Sequence, residues 1–308
     1  MKVFITGGTG FVGTALTRSL AERGHQVTVL TRRSPAQDRP GSSGVRLVQG
    51  NANEEGPWQE ELLQHDAVIN LAGASIFRRW TKAAKKEIRE SRLRTTRNLV
   101  GALGRGAPRP GFRFLSASAV GIYGFHGDEV LDEDNPPGDD FLAVLARDWE
   151  GAAEEAEAHG AVVTCMRFGI VLGKEEGALP KMLPLYRWWL GGPLGSGRQW
   201  FSWVHIRDLA AIHLFALERE DLRGPLNCTA PGPVRNKDMA RTLAGVMGKP
   251  SFMPGVPGFL VRAALGEFGS VLLEGQRVAP KRLQEAGFRF LYPELQPALE
   301  DLLGSGPR

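Results

Sequence analysis

Gly7, Gly10 and Gly13 stand three residues apart, just after the apolar run Val3-Phe4-Ile5 and just before a helical pattern in Ala15, Leu16 and Leu20. This spacing is chemistry-bearing because of where it sits. The first glycine permits a tight strand-to-helix turn, and the second lets the backbone approach a pyrophosphate. The third lets helix and strand pack closely, so that the N–H groups of the helix start face the anion. With Thr9, Phe11 and Val12 between them, these glycines form a candidate dinucleotide cradle.

The next strand pattern, Gln26-Val27-Thr28-Val29-Leu30, names the dinucleotide more closely. A carboxylate at its end would take the adenosine ribose hydroxyls of NAD(H). The chain has Thr31-Arg32-Arg33 instead, which leaves nothing to repel a 2′-phosphate and offers two guanidiniums to bind it. The expected cofactor is therefore NADP(H).

These groups need a scaffold that delivers strand ends to one edge, and the remaining pattern supplies it. Strand-like runs recur at 45–50, 66–73, 112–116 and 162–167, alternating with helical patterns at 81–103 and 143–157. Such alternation predicts an α/β fold: a Rossmann-type, doubly wound parallel sheet with a smaller C-terminal substrate lobe. The expected division is a cofactor domain over residues 1–172, with returning segments near 200–230. The substrate lobe takes most of 173–308, including a distinct tail over about 248–300. Trp188, Trp189, Trp200 and Trp203 flank the glycine-rich stretch 191–197, as packing groups or as substrate-facing ones.

The composition narrows the setting. Of 308 residues, 42% are hydrophobic and 23% charged, with a net charge of +4. The basic residues are interspersed with acids and form no stripe with interleaved aromatics, so nucleic acid is not an expected partner. Cys165 and Cys228 each lie in an apolar run and read as buried thiols. No signal-peptide pattern and no membrane-length apolar segment is present. The expected setting is cytoplasmic, with a small-molecule substrate, no membrane partner, and a monomer or homodimer.

Several motifs together carry a family resemblance: Thr6-Gly7-Gly8-Thr9-Gly10-Phe11-Val12-Gly13, Asn70-Leu71-Ala72-Gly73, Ser116-Ala117-Ser118, and the run from Phe201 to Ala210. With them the chain resembles the extended short-chain dehydrogenase/reductases, which include the nucleotide-sugar epimerases. Arg78-Arg79-Trp80, Ser91-Arg92-Leu93, Asp148-Trp149-Glu150 and the tail Leu273 to Pro280 make it similar to an atypical, "cell-division-inhibitor-like" epimerase branch. The resemblance implies cofactor contacts from Leu71, Ala72 and Gly73, from Glu87 and Arg92 on the long helix, and from Ser116. It also places Arg167, Gly169 and Val171 near the nicotinamide.

Two departures from that family matter chemically. Its Tyr-x-x-x-Lys pair, the proton-transfer phenol and the lysine that lowers its pKa, falls here on Leu142 and Ala146. The remaining protic candidates for catalysis are Ser118, at the family's active-site hydroxyl, and Tyr123 in the following loop. Phe201 replaces an arginine that grips the diphosphate of nucleotide sugars, which points to a less phosphorylated and more apolar ligand. His205 and Asp208 read as structural, Asp208 as the cap of the helix that follows. The leading expectation is an NADP(H)-dependent oxidoreductase acting on a small carbonyl or alcohol. A catalytically silent NADP(H) sensor or scaffold is the alternative, and a sugar epimerase the third reading.

Overall fold

The computed structural model describes residues 1–33, 44–106, 108–249 and 255–304. Its centre is a seven-stranded sheet of β1 (Lys2–Thr6), β2 (Gln26–Thr31), β3 (Val45–Gln49), β4 (Ala67–Asn70), β5 (Arg113–Ala119), β6 (Val162–Phe168) and β7 (Gly224–Cys228). The order is β7-β6-β5-β4-β1-β2-β3, and every pairing is parallel. The strand order reverses between β1 and β4, so a crevice opens beyond their carboxyl ends.

The helices follow from the apolar stripes they bury. α1 (Phe11–Glu22) and α5 (Ile206–Leu217) cover one face, where Leu16, Leu20, Leu209 and Ile212 pack on Val3 and Ile5. α2 (Lys82–Arg105) and α3 (Phe141–Glu154) cover the other, with Leu99, Leu103 and Ala153 against Phe4 and Phe114. Thr81 caps α2 by accepting from the Ala84 amide, and Asp140 caps α3 by accepting from Leu142 and Ala143. Cys165 and Cys228 are buried, free thiols. Among the described residues no helix is long and apolar enough to cross a membrane.

A second core joins α4 (Leu179–Arg187), α6 (Asn236–Val246) and α9 (Leu295–Leu303) through Leu183, Trp203, Leu243 and Leu299. Between α6 and α9 lie the short helices α7 (Gly258–Leu265) and α8 (Phe268–Leu273). Three small strand pairs tie this part to the sheet. Ile170–Leu172 runs parallel to Trp203–His205, Trp200–Phe201 antiparallel to Val234–Arg235, and Arg277–Val278 parallel to Val130–Leu131.

The sequence reading of Asp208 needs one correction. His205 is the residue that caps α5, its Nδ1 accepting from the Arg207 amide. Asp208 lies in the first turn, fully buried, and its carboxylate accepts the tail amides of Leu291 (2.7 Å) and Tyr292 (3.0 Å). It fastens the tail to the cofactor half. Asp208→Ala leaves two amides without an acceptor, so urea unfolding is expected to show a loss of about 2–4 kcal/mol. A loss below about 1 kcal/mol would count against this anchoring role.

Candidate functional site

Beyond the strand ends lies a cleft of about 730 Å³, a volume in the range of cofactor and ligand sites. Its floor is the glycine turn. Gly7 has φ of +72°, and a Cβ there would meet the Leu71 carbonyl carbon at 2.8 Å. A Cβ on Gly13 would collide with the backbone of Gly7 and Gly8, so α1 can approach β1 only without one. α1 starts at Gly10 with no side-chain cap and no acidic residue in its first turn. Its amide end therefore faces the cleft unopposed, as an anion requires.

Of the residues expected to touch the cofactor, Gly7, Gly10, Phe11, Val12, Gly13, Leu71, Gly73, Arg92, Gly169 and Val171 line this cleft. Arg92 stacks on Trp149 (5.1 Å) and donates to the carbonyls of Ala74 and Ile88. Burial pulls its guanidinium down to about 10, so it stays charged at neutral pH. The room for it comes from Gly73, whose missing Cβ would sit 3.0 Å from the guanidinium carbon. A glycine cradle, an open helix start and a half-buried cation together fit a dinucleotide.

The other expected contacts are set apart from this wall. Arg32 and Arg33 are exposed at the end of β2, beside the buried Thr31. Residues 34–43, which continue that loop, lie outside the described residues. Thr9 is exposed, and Ala72 is half-buried behind the lining. Glu87 pairs with Arg78 at 2.7 Å on the surface. Ser116 is buried under the floor, accepting a long hydrogen bond from Asn70 (3.4 Å).

Beneath the floor a polar row connects four elements. Ser118, on the cleft wall, donates to Glu150 Oε1 at 2.6 Å. Arg167 clamps Glu150 with two N–H groups at 2.9 and 2.8 Å and donates a third to the Tyr123 hydroxyl at 2.9 Å. Tyr123 donates to Asn227 Oδ1 at 2.8 Å, and the Asn227 amide donates to Glu133. Every side chain in the row is buried. The placement of Tyr123 and Arg167 therefore differs from the expected one. Neither lines the cleft, because the Glu150 carboxylate draws Arg167 under the sheet and Arg167 draws the phenol after it.

Beside the cradle the cleft is walled by Leu142 and Ala146, at the positions of the family's Tyr and Lys, by Trp200 of the flanking tryptophans, and by residues that the sequence did not single out. Leu142, Leu145 and Ala146 of α3 face it with hydrocarbon, joined by Phe125, Trp200 and Val271. Glu274, Gly275 and Gln276 enter from the tail. Gln276 donates to the Val120 carbonyl, and Ser202 donates to the Gln276 carbonyl. A Cβ on Gly275 would strike the Trp200 carbonyl, so the tail passes there only as glycine. The tail motif was legible, but its place in the wall depends on contacts more than 70 residues apart in sequence. Among the described residues no cluster of His, Cys, Asp and Glu could hold a metal.

All three tyrosines titrate high. Burial holds the Tyr123 and Tyr186 phenols up to about 12 and raises that of Tyr292 above its usual 10.0. The native protein is therefore expected to show clearly less phenolate absorbance at pH 10 than the same chain unfolded in urea at that pH. These groups contribute their stability in full below the unfolded value, and it is lost as pH rises through the folded ones. Tyr123→Phe, which strands Arg167 and Asn227, is expected to cost about 1–3 kcal/mol in urea unfolding.

Residues 3–228 match the NAD dependent epimerase/dehydratase family, and residues 256–302 match a domain of unknown function, DUF1731. The "Epimerase family protein SDR39U1 homolog, chloroplastic" of Arabidopsis thaliana is 41% identical over 98% of this chain and 87% of its own length. The crystal structure of the human epimerase family protein SDR39U1 (isoform2) with NADPH superposes with a TM-score of 0.84, at 36% identity over 99% of both chains. That of the nucleoside-diphosphate sugar epimerase from Corynebacterium glutamicum gives 0.79 at 33% identity, over 99% of this chain and 58% of the other. With its glycine cradle, its parallel sheet and these matches over nearly its whole length, the chain belongs to the NAD dependent epimerase/dehydratase family.

Proposed function

We propose that this protein is an NADP(H)-dependent oxidoreductase acting on a small, largely apolar carbonyl or alcohol. The observation that carries this reading is the juxtaposition in one cleft of a dinucleotide cradle, a hydrocarbon-walled pocket and the anchored hydroxyl of Ser118. The human relative solved with NADPH supports the choice of cofactor, as do Arg32 and Arg33 at the end of β2. The two free, buried thiols suit a reducing compartment such as the cytoplasm.

When bound, the cofactor supplies or accepts a hydride. The protein's own part is the proton. The Ser118 proton is held by Glu150, so the oxygen meets the cleft as an acceptor. As an alcohol is oxidised, its hydroxyl proton passes to Ser118 Oγ while the serine proton passes to Glu150 Oε1. Reduction runs the same path backwards. Arg167 holds Glu150 in line through its two N–H groups, and Arg92 holds negative charge at the cofactor end. Tyr123 has no part in the transfer: its hydroxyl is committed to Arg167 and Asn227.

A silent NADP(H) sensor is favoured by one observation, the hydrocarbon of Leu142 and Ala146 where a phenol and a lysine would stand. Oxidation of bound NADPH by any member of a broad carbonyl panel decides for the enzyme, and none decides for the sensor. With a turned-over substrate, Ser118→Ala is expected to cut the rate at least about tenfold with NADPH affinity nearly unchanged. Full activity in that variant would leave solvent as the proton source.

Two binding measurements test the specificity. NADPH is expected to bind well ahead of NADH by fluorescence titration, and Arg32→Glu to narrow or reverse that order. UDP- and dTDP-sugars are expected to give no micromolar binding by calorimetry. Phe201 is buried at the position of the diphosphate-binding arginine, and the exposed Glu175 and Glu176 add negative charge to the wall.

A further inference from the structure

Two stretches of the chain, residues 177–207 and 239–266, contain no Asp or Glu although the protein has 34 acidic residues. They hold seven Lys or Arg. Among the described residues they also hold six of the eleven large hydrophobic side chains that are exposed: Leu185, Trp188, Trp189, Leu190, Phe259 and Leu260. Trp188 is 77% exposed, Trp189 53% and Phe259 70%. Single exposed apolar residues are ordinary; this many, gathered in two acid-free stretches, are not.

The fold brings the two stretches together. Leu194 bridges to Val256, the Gly195 amide donates to the Val256 carbonyl, and the Val256 amide returns a bond to Pro193. Lys249 lies 4.9 Å over the ring of Trp189. The Trp189 backbone has φ of +65°, the only positive value at a non-glycine position among the described residues. That conformation is strained for a bulky residue, and in it the indole stays half exposed. On α7, Phe259, Leu260 and Arg262 are exposed while Val261 is buried, so the short helix lies flat with its apolar side chains outward.

We infer that this face docks on the surface of an anionic lipid bilayer. Indole and phenyl rings beside lysine and arginine are the side chains that settle at the headgroup boundary, and an acid-free basic rim complements anionic headgroups. Of the acids near the rim, Glu274 pairs with Arg262, Asp238 with Arg241 and Glu267 with Lys85. The expectation of no membrane partner rested on the missing spanning segment, and a surface-lying face needs none. The inference stands independently of the oxidoreductase reading. It bears on it all the same, since Pro180 and Lys181 of α4 line the cleft mouth and an apolar substrate dissolved in lipid would enter beside them.

The test is co-sedimentation of the full chain with vesicles of phosphatidylcholine alone or mixed with phosphatidylglycerol, alongside quenching of tryptophan emission by brominated acyl chains. Binding is expected on the anionic vesicles, weakened severalfold by high salt, with quenching of the exposed indoles. The paired substitutions Trp188→Ser with Trp189→Ser, and Phe259→Ser with Leu260→Ser, are each expected to lower partitioning at least tenfold. Melting temperature and NADPH affinity should be unchanged in both, since these side chains neither fill a core nor line the cleft. Failure to bind either vesicle overturns the inference. So does a dimer seen by sedimentation equilibrium without lipid and abolished by the same substitutions, which would make the occupant a second copy of this chain.

Discussion

The bidentate pair between Arg167 and Glu150 is the interaction on which the rest of the site depends. Two opposite charges are buried together, one on β6 and one on α3, and neither could stay there alone. Each leftover valence is then spent on a different element. The carboxylate takes the Ser118 hydroxyl from β5, and the guanidinium holds the phenol of Tyr123, which holds Asn227 on β7. A single ion pair thereby sets the relative positions of three strands and the helix that faces the cleft.

This explains which parts of the molecule could be read from the amino-acid sequence and which could not. Local rules were enough for the glycine cradle and the strand–helix alternation, because each depends on neighbours within a few residues, and the family resemblance singled out positions 142 and 146. The sixth strand pattern ended at Arg167, and the structure carries it one residue further to Phe168. What could not be read was depth. Tyr123 follows β5 at the cleft edge in sequence, yet its ring is wholly buried, because its partners Arg167 and Asn227 lie 44 and 104 residues away. Periodicity tells which side chains turn inward; it does not tell which side of a floor they end on.

The hydrocarbon wall of the cleft illustrates the same limit from the other direction. The tail motif Glu274-Gly275-Gln276 was visible as a signature, and its use was not. Only the fold shows it threaded between Trp200 and the turn after β5, fixed by Gln276 to Val120 and by Ser202 on either side. Phe201 shares that neighbourhood as a buried ring in a hydrophobic seam. A shared cofactor scaffold is compatible with a different ligand because the two halves of the cleft are built from separate stretches of chain.

The threading of that tail bears on how the molecule comes into being. Synthesis is vectorial, and N-terminal elements can fold before later ones exist. All seven strands of the sheet precede residue 229, so the cofactor cradle can assemble while the chain is still growing. The rest of the cleft wall must wait for residues 274–278, of which Arg277–Val278 pair in parallel with Val130–Leu131. Nucleotide captured by a chain at that stage, with the pocket still open, would stabilise the half-built domain. The last segment to dock is the one that turns a nucleotide-binding fold into a chamber.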